Sequence, residues 1–301
     1  MNDGLNLESL FELGDVQLFD ITADELIAER AWDAEIILVN KVKLNESHFK
    51  HLPKLRFIGE TATGIDNIDL IAAEKRGIIV KNVPNYATDS VAQHVIALLL
   101  NFCNPVDFHN RSVQRGEWQA QPHFSYWLHP LTELSGLTLG LVGFGQIAQK
   151  VAIIAKALGM KIIAYKPQGF SSDLACSVSL ADLFMQSDVL SLHCPLNNLT
   201  DKLINSDSLK QMKASSILIN TSRGGLIAED DLAFALNKNQ IKAAYLDALT
   251  QEPPKENNPL LGLNNCFITP HLAWATEAAR KRLLKAVCEN IIHYLEVRPK
   301  H

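Results

Sequence analysis

Short apolar runs alternate with amphipathic stretches along most of the chain. The runs at 35–39, 55–59 and 77–81 have the length and β-branched content of buried strands, and helical patterns such as 69–77 separate them. Residues 88–102 place apolar side chains at helical spacing, which predicts one helix leading out of this first region. The beginning of the chain is therefore predicted to form a small α/β domain.

A second alternating set begins at residue 137. Helical patterns at 146–158 and 229–238 lie between strand-like runs at 137–143, 161–165, 188–193, 215–220, 243–249 and 266–269. Strands separated by helices indicate a parallel, doubly wound sheet, because parallel neighbours need a crossover connection. The pattern at 275–297 predicts one long final helix.

These patterns predict an α/β fold of two doubly wound parallel-sheet domains. We assign residues 1–97 and 275–301 to a smaller first domain, and residues 98–274 to a second domain. Residues 104–136 are rich in aromatic, histidine and turn-forming residues and have no clear period. They are expected to form an arm or loop.

Composition limits the possible functions. The chain of 301 residues has 47% hydrophobic content and a net charge of −5, which is typical of a globular protein and gives no electrostatic footprint for nucleic acid. Its five cysteines are scattered without metal-ligand spacing and fit reduced thiols of the cytosol. The first residues are not a secretory signal, and the apolar run at 95–100 is too short to span a bilayer. We expect a cytoplasmic protein without metal, nucleic-acid or membrane partners.

The stretch 139–167 has the order of strand, glycine turn, helix and strand. Gly143, Gly145 and an alanine three residues later form the pattern G-x-G-x-x-A, in which the glycines allow a tight turn and close approach of backbone to a pyrophosphate. A helix is predicted to begin at Gln146, and the backbone N–H groups of its first residues, Gln146 and Ile147, would be free to bind the phosphates. The alternative is a plain turn in which the glycines serve packing only, but the full context favours a dinucleotide site.

Lys166 stands where such units usually carry a carboxylate. That carboxylate would accept hydrogen bonds from the ribose 2′-OH and repel a 2′-phosphate, whereas a cation does neither. One hypothesis is that the chain prefers NADP(H) or has no strong preference between NAD(H) and NADP(H). The other is that Lys166 is only a solvated side chain.

Three residues follow predicted strands and form a candidate catalytic set. Arg223, Glu252 and His271 lie beyond strands whose carboxyl ends share one edge of a parallel sheet, where ligands bind. Arginine can hold a carboxylate or keto oxygen, histidine can give it a proton, and glutamate can fix the histidine tautomer. Alternatively the histidine is a structural hydrogen-bonded group and the glutamate a loop residue.

The chain resembles the D-isomer-specific 2-hydroxyacid dehydrogenases over nearly its whole length. The segments that carry the resemblance occur in the family's order: "ATGIDNIDL", "VPNYATDSVAQHVIALLL", "LTLGLVGFGQIAQKVA", "LHCPLNNLT", "ILINTSRGGLI", "LDALTQEPP" and "ITPHLAWAT". Within the family, the chain is most similar to the glycerate dehydrogenase, or hydroxypyruvate reductase, branch. Members of the family usually begin with a further strand. Its absence here means that the start lies upstream or that the substrate domain folds with one strand fewer.

The resemblance implies that the first domain is a flavodoxin-like substrate domain and the second a Rossmann-type dinucleotide-binding domain. It also implies roles for the candidate catalytic residues. Arg223 is expected to bind substrate, Glu252 to support His271, and His271 to act as the acid/base. Backbone groups around Thr63 and Gly64 are expected to receive the substrate carboxylate.

The resemblance also implies a cofactor lining and an assembly. Asp247 is expected to hydrogen-bond the nicotinamide carboxamide. Further positions that match the cofactor lining are Thr88, His193, Pro195, Thr221 and Ser222. Residues 104–136 are expected to form the dimerisation arm of a homodimer, with Trp127 approaching the partner's active site.

The activity implied is reduction of a small anionic 2-keto acid, hydroxypyruvate or glyoxylate, by NAD(P)H. Alternative substrates within the family are phosphoglycerate and erythronate 4-phosphate. An alternative of another class is a dinucleotide-sensing binding protein similar to the family's transcriptional corepressors.

Overall fold

A computed structural model describes residues 5–298. The chain divides into two compact units, Met1–Ala87 with Ala275–His301, and Thr88–Trp274. The boundary placed at residue 97 falls inside the helix Thr88–Cys103, and the predicted domain limits stay a prediction. Within residues 5–298, no helix combines the length and the apolar character needed to cross a membrane.

The first unit is built on a three-stranded parallel sheet with the order β1-β2-β3. Its strands are β1 (Ile36–Val39), β2 (Phe57–Glu60) and β3 (Ile79–Lys81), and its helices are α1 (Glu8–Phe11), α2 (Ile27–Ala31), α3 (Glu46–Phe49), α4 (Leu70–Lys75) and the final helix, here called αC (Glu277–Val297). Phe49, Leu55 and Ile58 form the centre of its core. On αC, Tyr294 packs its ring 5.0 Å from that of Phe57 and donates a hydrogen bond of 2.7 Å to Glu35.

The second unit is built on a seven-stranded sheet in which every pairing is parallel. Its strands are β4 (Thr138–Val142), β5 (Lys161–Tyr165), β6 (Cys176–Ser177), β7 (Val189–Leu192), β8 (Ile217–Asn220), β9 (Ala243–Leu246) and β10 (Cys266–Ile268). Its helices are α5 (Thr88–Cys103), α6 (Val106–Gln114), α7 (Gln146–Ala157), α8 (Leu180–Gln186), α9 (Ser206–Gln211) and α10 (Glu229–Asn237).

The central strands β4, β7, β8 and β9 are buried on both faces. Along β8, Ile217 and Ile219 belong to one apolar cluster, whereas Leu218 belongs to the cluster on the opposite face. Successive side chains of a strand point to opposite faces, so a sheet covered by helices on both sides needs apolar residues at every position. This explains why the central strands are mostly apolar along their whole length.

The strand order β10-β9-β8-β7-β4-β5-β6 reverses direction at β4. The chain goes from β4 to β5 on one side and returns to β7 on the other, which makes the carboxyl end of β4 the topological switch point where open α/β sheets bind ligands. The Gly143 turn lies there, directly after Val142. The predicted α/β class with parallel sheets is confirmed.

The sequence patterns missed one helix. Residues 104–136, expected to be an arm or loop, contain the helix α6. The helix has few apolar residues, and polar contacts accompany it: Asp107 pairs with Arg111 at 2.7 Å, and the hydroxyl of fully buried Ser112 bonds Glu117 and Tyr126.

Core packing of the second unit predicts a position-dependent cost of truncation. Leu190 is 0% exposed at the centre of β7, whereas Leu199 is 86% exposed in the following loop. Leu190→Ala should lower the free energy of unfolding by about 2–5 kcal/mol, because it removes buried contacts and leaves a cavity. Leu199→Ala should change it by less than about 0.5 kcal/mol. Urea unfolding of both variants measures this, and equal effects would contradict the assigned burial.

Candidate active site

His271 and Glu252 form a hydrogen-bonded pair at the carboxyl end of the second unit's sheet. Nδ1 of His271 lies 2.8 Å from Oε1 and 2.7 Å from Oε2 of Glu252. An ionised carboxylate only accepts, so Nδ1 carries the proton in this contact. The side chains of His271 and Glu252 are each 26% exposed, so the pair is only partly shielded from water.

A buried carboxylate holds the turn that carries His271. This residue has a φ of +51°, in the left-handed region that non-glycine residues seldom adopt. Asp247, only 1% exposed, accepts hydrogen bonds from the next two backbone amides, those of Leu272 at 2.9 Å and Ala273 at 2.8 Å. Nε1 of Trp274 donates to the carbonyl of His271 at 2.9 Å. The strained conformation is thus fixed from both sides.

The loop after β8 carries Arg223 and is shaped by a buried amide. Asn220 is 0% exposed, and its side chain donates to the carbonyl of Arg223 at 2.8 Å and accepts from the amide of Ser222 at 3.0 Å. A Cβ on Gly224 would lie 1.9 Å from the carbonyl carbon of Leu249, so only glycine lets these two backbones approach. The Arg223 loop is thereby packed against the loop after β9, which carries Glu252.

The glycine turn brings the backbones of three strand ends together. Gly143 has a φ of +89°, and its amide donates to the carbonyl of Tyr165 at 2.8 Å. A Cβ there would lie 2.6 Å from the carbonyl oxygen of His193. Gly145 is the N-cap of α7, whose first amides have no helical partner and point out of the helix toward the switch point.

Two buried polar atoms in this region have no partner within the described residues. They are Nδ1 of His193 and Oγ1 of Thr221, which follow the paired strand ends Leu192 and Asn220. Burial lowers the pKa of His193 to about 4, so its imidazole is neutral near pH 7, and Nε2 contacts Oγ of Ser191 at 2.9 Å. Buried polar groups normally find a partner. Together with the glycine turn, the unsatisfied atoms fit a polar ligand of dinucleotide type.

The other predicted cofactor residues lie at the same edge of the sheet. Thr88 is the first residue of α5, and Gln146 and Ile147 open α7. Pro195 follows β7 and accepts a hydrogen bond from Thr200 at 2.6 Å. Ser222, next to Arg223, donates through its hydroxyl to the carbonyl of Leu192 at 2.7 Å.

Lys166 directly follows β5 and begins the turn that Gly169 closes. Its side chain is exposed, and it forms no ion pair within residues 5–298. Lys166 lies at the carboxyl end of β5, the neighbour of β4, where the switch point is. Its ammonium group is therefore accessible to solvent or to a ligand.

The predicted substrate residues outside this sheet are placed as follows. Thr63 and Gly64 lie in the first unit after β2, where the hydroxyl of Thr63 donates to the carbonyl of Val83 at 3.0 Å and Asn82 donates to the carbonyl of Thr63 at 2.6 Å. Trp127 is 69% exposed in the segment 104–136. Their roles in substrate binding stay predictions.

The sequence patterns missed several residues that shape the site. Asn220, Thr269 and Glu229 are polar residues at strand or helix ends, and Glu229 accepts hydrogen bonds of 2.7 Å from the amide of Thr250 and the side chain of Asn258. A polar residue closing an otherwise apolar strand, as Asn220 does, is the signal that could have found it.

More than half of the chain matches a known protein family. Residues 96–273 match the family described as D-isomer specific 2-hydroxyacid dehydrogenase, NAD binding domain. A hydroxypyruvate reductase of Blautia hydrogenotrophica is 41% identical over 306 aligned positions, which cover 99% of this chain and 95% of the relative. The chain belongs to the D-isomer-specific 2-hydroxyacid dehydrogenase family. It is an oxidoreductase of the class that moves a hydride between a nicotinamide cofactor and the CH–OH group of a 2-hydroxy acid.

Other dehydrogenases and reductases of known sequence or structure are similar. A glycerate dehydrogenase of Methylorubrum extorquens is 39% identical and covers 92% of this chain and 88% of its own length. An acyclic imino acid reductase in complex with NADPH and D-Arg superposes with a TM-score of 0.87 at 32% identity, covering 97% of this chain and 93% of that one. A D-lactate dehydrogenase from Aquifex aeolicus with NAD and lactic acid gives 0.86 at 28% identity, covering 96% and 91%.

The close approach at Gly143 predicts the effect of a single methyl group on cofactor binding. Gly143→Ala would place its Cβ against the carbonyl of His193, so the turn must shift, and NADH affinity should fall by about tenfold or more. Gly77→Ala is the matched control, because Gly77 has a φ of +67° but nothing within 4 Å of its Cβ position. Both variants carry left-handed strain of about 1–2 kcal/mol. NADH fluorescence titration separates them, and equal affinities would contradict the proposed role of the turn.

Proposed function

We propose that this protein reduces hydroxypyruvate or glyoxylate to the 2-hydroxy acid, giving the D-isomer where the product is chiral. The observation that carries the proposal is that both carboxylate oxygens of Glu252 lie within hydrogen-bond distance of Nδ1 of His271. Reductases and dehydrogenases for hydroxypyruvate, glycerate and glyoxylate among the relatives support the substrate class.

His271 is proposed as the proton donor to the substrate oxygen. Its Nδ1 is occupied by Glu252, so Nε2 is the ring nitrogen that can exchange a proton with a bound substrate. The carboxylate of Glu252 fixes the tautomer of the ring and holds it in one orientation. Glu252 is itself held by the amide of Leu249, which donates to Oε1 at 3.1 Å.

Arg223 is proposed to bind the substrate through its carboxylate and keto oxygens. A planar guanidinium forms paired hydrogen bonds to such groups and polarises the carbonyl as negative charge develops on its oxygen. For the first unit, we propose that backbone groups around Thr63 and Gly64 bind a substrate carboxylate. Selection of a small 2-keto acid would follow from these contacts.

The cofactor lining is proposed to comprise the glycine turn and the strand ends around it. The nicotinamide cofactor, when bound, supplies the hydride. Gly143, Gly145, Gln146 and Ile147 are proposed to bind the pyrophosphate through backbone groups. The remaining proposed lining residues are Thr88, Pro195, His193, Thr221, Ser222 and Asp247.

We propose a preference for NADP(H) over NAD(H), or similar use of both, from Lys166. An ammonium group beyond β5 attracts a 2′-phosphate, and the carboxylate that would repel it is absent from this position.

We further propose that the protein is a cytoplasmic homodimer. The segment 104–136 exposes large apolar side chains, among them Val106, Phe124, Trp127 and Leu131 at 56–90% exposure, which is typical of a surface that a second copy covers. All five cysteines are free thiols, as in proteins of reducing compartments.

Substitution of the paired side chains tests the proposed chemistry. His271→Gln should lower kcat/KM for hydroxypyruvate by about 10²–10⁴-fold, because the proton donor is lost. Glu252→Gln keeps a hydrogen-bond acceptor but removes the charge, so we expect a smaller loss of about 10–100-fold. Steady-state oxidation of NADH and NADPH measures both.

Glu256→Gln serves as the matched control, since Glu256 is an exposed residue of the same loop. It should retain activity within about twofold of wild type. Binding of NADH without turnover of hydroxypyruvate, glyoxylate or 3-phosphohydroxypyruvate would refute the proposal and favour a dinucleotide-sensing binding protein.

Cofactor choice is tested at Lys166. Lys166→Asp should lower kcat/KM for NADPH relative to NADH by about tenfold or more, because a carboxylate repels the 2′-phosphate and accepts from the 2′-OH. Lys166→Ala separates loss of the cation from gain of the anion. An unchanged NADPH to NADH ratio in both variants would show that Lys166 is a solvated side chain.

A further inference from the structure

Helix α5 contacts the turn that carries His271 at two points on one face. Ser90 and His94 are four residues apart and therefore neighbours on the helix surface. The hydroxyl of Ser90 donates to the carbonyl of Ala273 at 2.6 Å, and Nε2 of His94 lies 3.2 Å from Oγ1 of Thr269. Neither residue was assigned a role from the sequence.

The direction of the hydrogen bonds follows from the capacity of each group. Oγ1 of Thr269 lies 2.5 Å from Oδ1 of Asp247, and a carboxylate only accepts, so the single hydroxyl proton points to Asp247. Toward His94 the hydroxyl can only accept. Nε2 of His94 must then be the donor, which fixes the Nε2–H tautomer.

Asp247 offers Nε2 of His94 no better acceptor than the hydroxyl of Thr269. Its Oδ1 already accepts from Thr269 and from the amide of Leu272, which fills both lone pairs of that oxygen. His94 lies 3.6 Å from Oδ1, beyond an ordinary hydrogen bond. Burial lowers the pKa of His94 and the charge of Asp247 opposes this, so burial is the larger effect and favours the neutral ring.

These contacts form one chain from α5 to the acid/base. His94 orients the hydroxyl of Thr269, Thr269 bonds Asp247, and Asp247 holds the amides of Leu272 and Ala273 that fix His271 at its positive φ. We propose that His94 is a positioning residue for the reaction, acting through Thr269 and Asp247 on the orientation of His271. This inference rests on the proposed function of His271.

Two amide substitutions of different length test the proposal. His94→Gln places a side-chain N–H close to the position of Nε2, whereas the amide of His94→Asn is too short to reach Thr269. We expect His94→Asn to lower kcat by about tenfold with KM for the keto acid changed less than about threefold, because the defect lies in the reacting geometry. His94→Gln should remain within about threefold of wild type.

Three controls separate positioning from folding. The thermal unfolding midpoints of the two variants should be similar, and His293→Leu, which changes an exposed histidine on αC, should leave kcat unchanged. In a His94→Asn/Thr269→Val double variant the losses should be markedly less than multiplicative, because one substitution already breaks the chain. Wild-type kcat in His94→Asn, equal losses in both amide variants, or multiplicative losses in the double variant would overturn the proposal.

A readout without turnover distinguishes this proposal from the proposed function. In ¹⁵N-histidine-labelled protein, His94 should show the Nε2–H tautomer, and the ring signals of His271 should move in His94→Asn but not in His94→Gln. A wild-type protein that reduces no 2-keto acid would refute the proposed function alone. His271 signals that do not move in His94→Asn would refute the positioning role.

Discussion

The contact between Nδ1 of His271 and the carboxylate of Glu252 is the interaction on which the site depends. The two residues come from loops after different strands, β9 and β10, that pair in parallel. A parallel sheet brings the carboxyl ends of neighbouring strands to one edge, so residues 19 apart in sequence meet without a special connection. The chemistry proposed for the protein follows from which ring nitrogen this contact leaves available.

The contact is maintained by groups that do not themselves react. Asp247 is buried and binds two successive backbone amides, which stabilises the left-handed conformation of His271. On the other side, Glu229 accepts from the amide of Thr250, and Gly224 allows the Arg223 loop to pack on the same segment. Substitution at these positions would alter the reacting geometry without touching a bound substrate, as expected where a strained conformation persists only because its surroundings determine it.

Much of the fold was predictable because strand burial dictates residue type. The run 215–220 predicted β8, since both faces of that strand are covered and Ile217, Leu218 and Ile219 are all apolar. Helix α6 and strand β6 escaped prediction, because polar contacts such as those of Ser112 stabilise the first, and the second has only two residues. Arg223, Glu252 and His271 could be proposed from their places after strands. Thr269 and His94 could not, because their importance lies in hydrogen bonds that exist only in the folded chain, whereas Asn220 could have been noticed as the polar residue that closes an apolar strand.

The central claim is that hydride from the nicotinamide and a proton from His271 are added across the keto group of a small 2-keto acid. The most direct test is to incubate the protein with hydroxypyruvate and a reduced cofactor in which the transferred hydrogen on C4 of the nicotinamide is replaced by deuterium. The product is then analysed by chiral chromatography and mass spectrometry. The account predicts D-glycerate with deuterium at C2. Formation of L-glycerate, or of glycerate without deuterium while the cofactor is oxidised, would contradict it.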